Sequence, residues 1–535
     1  MSSPATSVAT RTSQTRASYD KLEDRILARD QVGASEAYYD LVRQGRPLNE
    51  MLREAVRIHG PYTHVPYHER MDSGFVNFVN NDHCLLSARA TLHLSKWVPE
   101  SLAGLPMAQT VWYIPTGLDI WNQKINKAPG HYARSGKPIE GPPVQPVVHW
   151  PDQEAERIEG SLADKLEAWM TLVHRGRVLE AYRVFLGIME DKANRREALS
   201  YLVFAGLIDV QDRAFLNRSY TTGHKSYRAR ATVELGNAIG WDNAKDVLYA
   251  GALDMAVGPR WYSTYEMACN CVTHYLQQQK ISAIPYAGTT DLELSMLRNT
   301  QTLARAEAEA FLEVVLQQPE PAYLEALSRL LLAGKGPRQI LDVLQIGAAQ
   351  VLLETQDQLN FSISQHCYEY CNTLGWFYDT FEHPQRLKLL YVAASFLNRN
   401  AYHQRCTGDG KESVASLPAG AGGMGAPQLL DRIIASMVAL DGPQAVAWTR
   451  AYLATGTDRQ PLIQHLALVA CRIGNDPHNQ EIAQCLLEDY GKNRGFDRDR
   501  LLLACVQHTA QHRKYGDFLE ASRRYGKALG LAELH

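Results

Sequence analysis

The chain has 535 residues, 45% apolar and 21% charged, an ordinary globular composition that excludes a wholly disordered protein. Its 55 basic and 58 acidic side chains leave a formal charge of −3, so no global basic field exists to hold nucleic acid or an anionic membrane. There is no uninterrupted apolar run of about 18 residues to cross a bilayer, and nine cysteines do not suggest a disulfide-stapled scaffold, which predicts a cytoplasmic protein.

Residues 1–18 are rich in Ser, Thr and Ala, contain no acid and lack the apolar core of a secretory signal, which predicts a disordered tail. An N-terminal helical region follows over 19–123. From Tyr19 to Ile58 apolar residues recur every three or four positions, predicting three short amphipathic helices punctuated at Arg46-Pro47-Leu48-Asn49. A polar, aromatic loop comes next, then a predicted helix from Phe75 to Trp97 and another from Ala108 to Gln123, broken near Pro115. Residues 124–152 carry prolines at 129, 138, 142, 143, 146 and 151 and form a long loop.

A central helical array is predicted over 153–405, including Ala163–Val173, Arg177–Glu190, Glu197–Ile208, Lys225–Ile239 and Ala244–Ala256. A Gly-rich stretch at 406–428 reads as a hinge, flap or disordered insertion, and a C-terminal helical region covers 429–535. Strand signals are scarce. The fold class is therefore all-α: helical hairpins stacked as an α-solenoid or a large bundle, with no clean 34- or 40-residue repeat.

No phosphate loop, dinucleotide fingerprint, HExxH, GxSxG or paired CxxC is present, so no nucleotide cofactor is expected. Cys269 and Cys271 sit two apart on a predicted helix, point about 200° apart, and read as packed core thiols. Histidine placement is the salient feature. Five of the 18 histidines fall between residues 59 and 93: His59, His64, His68, His83 and His93. Neutral imidazole is the commonest ligand of iron, copper and zinc. His64, in a proline-bounded aromatic loop, and His83 are the best candidates there. Asp82 could orient the His83 ring through its second nitrogen, or Asn81-Asp82 could cap the helix. His224, in Thr221-Thr222-Gly223-His224-Lys225, opens a helix whose positive end favours the neutral ring; Thr222 or Gly223 as a simple cap is the equal alternative.

His366 shares a helical face with Glu369 and Tyr370, and His478 with Glu481 repeats the H-x-x-E spacing. Di-iron bundles place the glutamate first, so the order here argues against that site and leaves each glutamate as a ligand or an outer partner. His508 and His512, among Gln, Arg and Lys, predict a solvated face. Trp112, Tyr113, Trp121, Trp376 and Tyr378 are candidates to line a substrate pocket.

Three stretches, PYTHVPYHERMDSGFVNFVNNDHCLLSA (61–88), TGHKSYRARATVELGNAIGWDNAKDVL (222–248) and SQHCYEYCNTLGWFYDTFEHPQRLKLLYVAASFL (364–397), together resemble the helical questin oxidase-like family. The resemblance is patchy and has no single diagnostic motif. It implies an all-helical oxygenase with a His-rich non-haem iron site that can include a modified lysine. Carried over residue by residue, His83, His224 and His366 match best, followed by His64 and His478. Lys225 adjoins His224 but points about 100° away, and no lysine is assigned. The Pro-rich and Gly-rich loops have no counterpart.

The expectation is an Fe(II) oxygenase acting with O2 on an organic small molecule, an aromatic one in the family's manner. Two other classes compete with it. A non-catalytic helical-repeat scaffold that binds another protein would scatter its histidines beside a concave groove. A zinc hydrolase would use the same histidines.

Overall fold

In a computed structural model of the chain the described residues are 4–60, 82–117, 152–210, 222–243, 245–256, 260–277, 289–413, 415–418, 420–474, 477–512 and 517–534. They contain 23 α-helices and no strand, and the only bridge pairs Gln301 with Lys335. The all-α class is as the sequence predicts. No helix among the described residues is long and apolar enough to cross a membrane.

Boundaries in the central array fall close to the predicted ones: Leu162–His174, Val178–Glu190, Arg195–Ile208, His224–Ile239 and Lys245–Asp254. Local chemistry sets several of them. Ser161 and Asp164 form a reciprocal capping box at the first. Three expectations need correction. The first helix runs Pro4–Leu27, through residues read as a tail, because after Pro4 nothing in the run breaks a helix. The helix Leu105–Gly117 passes through Pro115, which has no N–H to give the Val111 carbonyl, and 118–123 lie outside the described residues. The Gly-rich stretch is partly tied down: Asp409 accepts hydrogen bonds from the backbone N–H groups of Gln356 and Asp357 and from Asn360 Nδ2. Residues 124–151 of the Pro-rich loop lie outside the described residues.

Seven helices position the site: α1 (Asp82–Leu94), α2 (Leu105–Gly117), α3 (His224–Ile239), α4 (Pro337–Leu353), α5 (Gln358–Thr380), α6 (His478–Lys492) and α7 (Asp499–Gln511). Helix α1 packs on α3 and α6, and α5 packs on the same two, closing a four-helix ring. Helices α2, α4 and α7 cover it from outside. The four ring helices run parallel. His83 meets His224, and ten residues further on in each helix His93 meets Glu234. Arg230 meets Asn372, each six residues beyond its helix's histidine. Short loops would have made neighbours antiparallel; here long helical excursions return the chain to the same end each time.

The start of α3 is fixed by two contacts. A Cβ on Gly206 would lie 2.6 Å from the Ser226 nitrogen, so only glycine lets the preceding helix meet α3 backbone to backbone. Lys225 Nζ donates to Asp209 Oδ2 at 2.5 Å and to the Met255 carbonyl at 3.3 Å, with both charged side chains 2% exposed. Cys269 and Cys271 are buried thiols, as predicted, pushed up by burial to about 11 and about 12.

His383 belongs to the core. Its ring stacks on Phe204 at 4.1 Å and meets Tyr201 edge-on, and burial drives it down to about 3. A depressed histidine opposes folding once the unfolded chain takes up a proton. Its penalty is absent above the usual histidine pKa of about 6.5 and grows as pH falls toward 3. At pH 5 it amounts to about 2 kcal/mol. His383→Phe is expected to remove that much of the stability difference between pH 7 and pH 5 in urea unfolding. An unchanged difference would mean that the ring takes up a proton without leaving its place.

Candidate metal centre

Four histidines, one from each helix of the parallel ring, form a closed circuit. Ring centroids are 4.3 Å apart for His83 and His478, 5.3 Å for His83 and His224, 4.6 Å for His224 and His366, and 5.5 Å for His366 and His478. Two imidazoles on one ion, each about 3 Å from metal to ring centre, would have centroids about 4.5–5 Å apart. His83, His478 and Glu481 each offer a donor atom, all within 4.8 Å of one another. His83, His224, His366 and Glu481 are buried and His478 is half-buried.

Hydrogen bonds fix the ring orientations. His366 Nδ1 faces the Ser362 carbonyl, which only accepts, so the proton sits on Nδ1 and the lone pair on Nε2. His83 Nδ1 lies 3.1 Å from Glu481 Oε2, a spacing that two donors to one ion also have. His224 Nδ1 lies 3.2 Å from Thr222 Oγ1. Thr222 therefore serves the ring rather than the helix end, and Gly223, at φ +105°, makes no side-chain cap. Tyr227 Oη lies 2.6 Å from the His366 carbonyl and ties α3 to α5.

Electrostatics favour the neutral form of His224. His83, His224 and His478 stand in the first turns of their helices, where the N-terminal partial charge is positive. Burial, then the neighbouring His366 and His83, hold His224 well below the usual histidine range. Glu369, fully buried, is pushed up to about 7 by burial and by Glu481, against the pull of Arg89. Neither carboxylate oxygen of Glu369 has a hydrogen-bond partner among the described residues.

Beneath the histidines lies a charged layer that sequence reading missed. Arg230 donates to Asn372, Glu488 and Glu234, and its guanidinium sits 5.0 Å from the Trp376 ring centroid. Arg89 approaches Glu234 at 3.6 Å. A signal for this layer was present. His83-x4-Ala-Arg-Ala-Thr (83–91) recurs as His224-x4-Ala-Arg-Ala-Thr (224–232), while His366 and His478 share H-x-x-E. A search for fixed-length repeats passes over two nine-residue copies so far apart.

The circuit joins His83, His224, His366 and His478, with Glu481 bonded to His83 and Glu369 nearby. His64, His68 and Trp121 lie outside the described residues, as does the side chain of Asp82. Among the described residues, Trp112, Tyr113, Trp376 and Tyr378 do not assemble into one aromatic pocket. Trp376 is ten residues past His366, about 15 Å along the axis, and lines a cavity of about 570 Å³ at the far end of the ring. Tyr378, two residues on and so on another face, lines a different cavity of about 840 Å³. Trp112 and Tyr113 are buried in α2, where Trp112 meets Arg524. His93 faces Glu234 and His59 is buried in another helix.

His508 is not on a solvated face. It is fully buried, 3.1 Å from Gln365 Oε1 and stacked on His512, because α7 packs against both α4 and α6. His512 in turn lies 6.2 Å from His478, extending the histidine set outward. Lys225 is turned to Asp209. Comparison with protein-family models, curated proteins and solved structures finds no match for the chain.

Proposed function

We propose that the protein is a metal-dependent oxidoreductase, a non-haem iron oxygenase that uses O2 on an organic small molecule, an aromatic one as the family resemblance implies. The observation that carries the reading is the His83, His478 and Glu481 set, extended by His224 and His366. Two histidines and one carboxylate are the donor set of non-haem iron oxygenases. More than four donors on hand also exceeds what a tetrahedral zinc site uses. Glu481 meets a histidine 398 residues away in a buried core, the convergence of distant donors that a metal centre needs.

Iron held here would supply the oxygen chemistry. The chain's own work is orientation and exclusion. Ser362 holds the His366 ring in one tautomer, Thr222 steadies His224, and the packed helices keep water from the buried donors.

Elemental analysis of protein purified without added metal or affinity-tag nickel tests this, with His83→Ala and His478→Ala beside wild type. Near-stoichiometric iron that drops at least tenfold in both variants is expected, consistent with the loss on removing a ligand. Zinc in that pattern would replace the oxygenase with a hydrolase. No metal in wild type after reconstitution with ferrous iron would leave the scaffold reading in its place.

A further inference from the structure

We propose that the protein binds a small organic anion, an apolar body bearing a carboxylate, in the cavity of about 840 Å³ where α5 and α6 end and α4 begins. This cavity stands apart from the histidines. Tyr378 on its wall is twelve residues past His366 and Lys492 fourteen past His478, about 18 and 21 Å along their helices. A ligand here needs no metal at the other end of the ring.

Charge sets the sign of the ligand. Four cations line the cavity, Arg338, Arg386, Lys492 and Arg494, against two acids, Asp342 and Asp379. Arg338 pairs with both acids, and Lys492 lies 2.9 Å from Glu488. Arg386 and Arg494 have no carboxylate partner among the described residues. They donate to backbone carbonyls instead: Arg386 to Phe381 at 2.6 Å and Tyr378 at 3.3 Å, Arg494 to Gly491 at 3.2 Å. Those carbonyls stand at or just past the ends of α5 and α6, and a helix end carries about half a negative charge. The start of α4, which lines the cavity and has no side-chain cap, returns about half a positive one. Two full charges on the arginines outweigh the helix ends, so the cavity is positive.

The walls set the body of the ligand. A cavity of this volume is within the range of small-molecule sites. Leu303, Val343 and Phe496 supply apolar wall. The Arg386 guanidinium sits 5.1 Å from the Tyr378 ring centroid, and the Tyr378 hydroxyl donates to the Arg386 carbonyl at 2.7 Å. One cation is thus held in place before a ligand arrives, which lowers the cost of binding. Arg386 Nε is buried without a hydrogen-bond partner among the described residues, a costly state that a bound acceptor relieves. Guanidinium groups suit a carboxylate in charge and in shape.

Equilibrium dialysis of the full-length protein against naphthoate, with uncharged naphthamide as its match in shape, tests this. Naphthoate is expected to bind at least about tenfold more tightly. Arg494→Glu, at an exposed position, and Arg386→Met are each expected to weaken naphthoate about tenfold, with naphthamide and helical circular dichroism unchanged. Arg157→Glu, an exposed charge outside the cavity lining, should leave both probes unaffected. Affinity should also be the same before and after treatment with a chelator. Equal affinity for the two probes, no naphthoate bound at millimolar concentration, or undiminished binding in Arg494→Glu would overturn the proposal. So would an equal loss in Arg157→Glu, which would reduce the effect to overall charge. Binding lost on chelation would move the anion to the metal centre and overturn the cavity assignment while supporting the metal. Displacement by equimolar inorganic phosphate would make this a site for a free anion and overturn the organic class.

Discussion

Replacing Arg230 with Met is expected to destabilise the protein by about 3–5 kcal/mol, the usual result of removing one partner from a buried ion pair. The guanidinium is fully buried and donates to Glu488 Oε2 at 2.5 Å, Glu234 Oε1 at 3.4 Å and Asn372 Oδ1 at 2.6 Å. Without it two carboxylates lose the cation that makes their charge tolerable. Arg230 holds Glu234 down to about 2 and Glu488 well below the usual range, against burial that pushes both up. These depressed groups contribute stability present above about pH 4.5 and lost as pH falls toward 2. The variant has lost that contribution, so its deficit should be full at pH 7 and shrink below pH 4. Urea unfolding at both values measures it, and Arg230→Met with Glu488→Gln should recover part of the loss. A deficit under 1 kcal/mol at pH 7 would mean that Arg89, already 3.6 Å from Glu234, can carry the acids alone.

Lys225→Met should cost a similar amount for the same reason, leaving Asp209 buried with the Trp261 N–H, at 2.6 Å, as its remaining donor in place of a cation. This variant also decides whether the lysine is a ligand. Lys225 lies next to His224 in sequence but is bonded to Asp209 and the Met255 carbonyl. Thermal or urea stability is expected to fall while metal content per folded chain stays within the error of wild type. Lys225→Met with Asp209→Asn should restore most of the stability. Metal lost in step with the lysine, in protein that still folds, would make Lys225 a member of the centre.

Helices and ligands were legible in the sequence to different depths. The central helices fell close to their predicted bounds because a 3.6-residue period and a cap such as Ser161 are local properties. Three of the histidines came together because each had a local peculiarity, a polar lead-in for His83, a glycine turn for His224, and an acid one turn on for His366. His478 had the weaker signal of a second H-x-x-E and stands in the same circuit of rings. The aromatic pocket failed because residue type says nothing about axial height: Trp376 shares a helix with His366 but sits about three turns away. His508 misled because its polar sequence neighbours do not report which helix covers it. The Ala-Arg-Ala-Thr repeat was readable and would have placed Arg89 and Arg230 one layer below His83 and His224.

The parallel ring has a consequence for how the protein is made. Its four helices are spread from residue 82 to residue 492, and no two of them are consecutive in the chain. Contacts so distant in sequence form slowly, since each closes a long loop before anything rewards it. During synthesis the first ring helix must wait, its Arg89 and His83 without their later neighbours, until α6 leaves the ribosome. A chain cut before His478 would keep most of its helices and still present one open side where the last imidazole and Glu481 belong. At the proposed centre, metal capture would therefore be an event of the finished chain, reporting completion in a way that helix content does not.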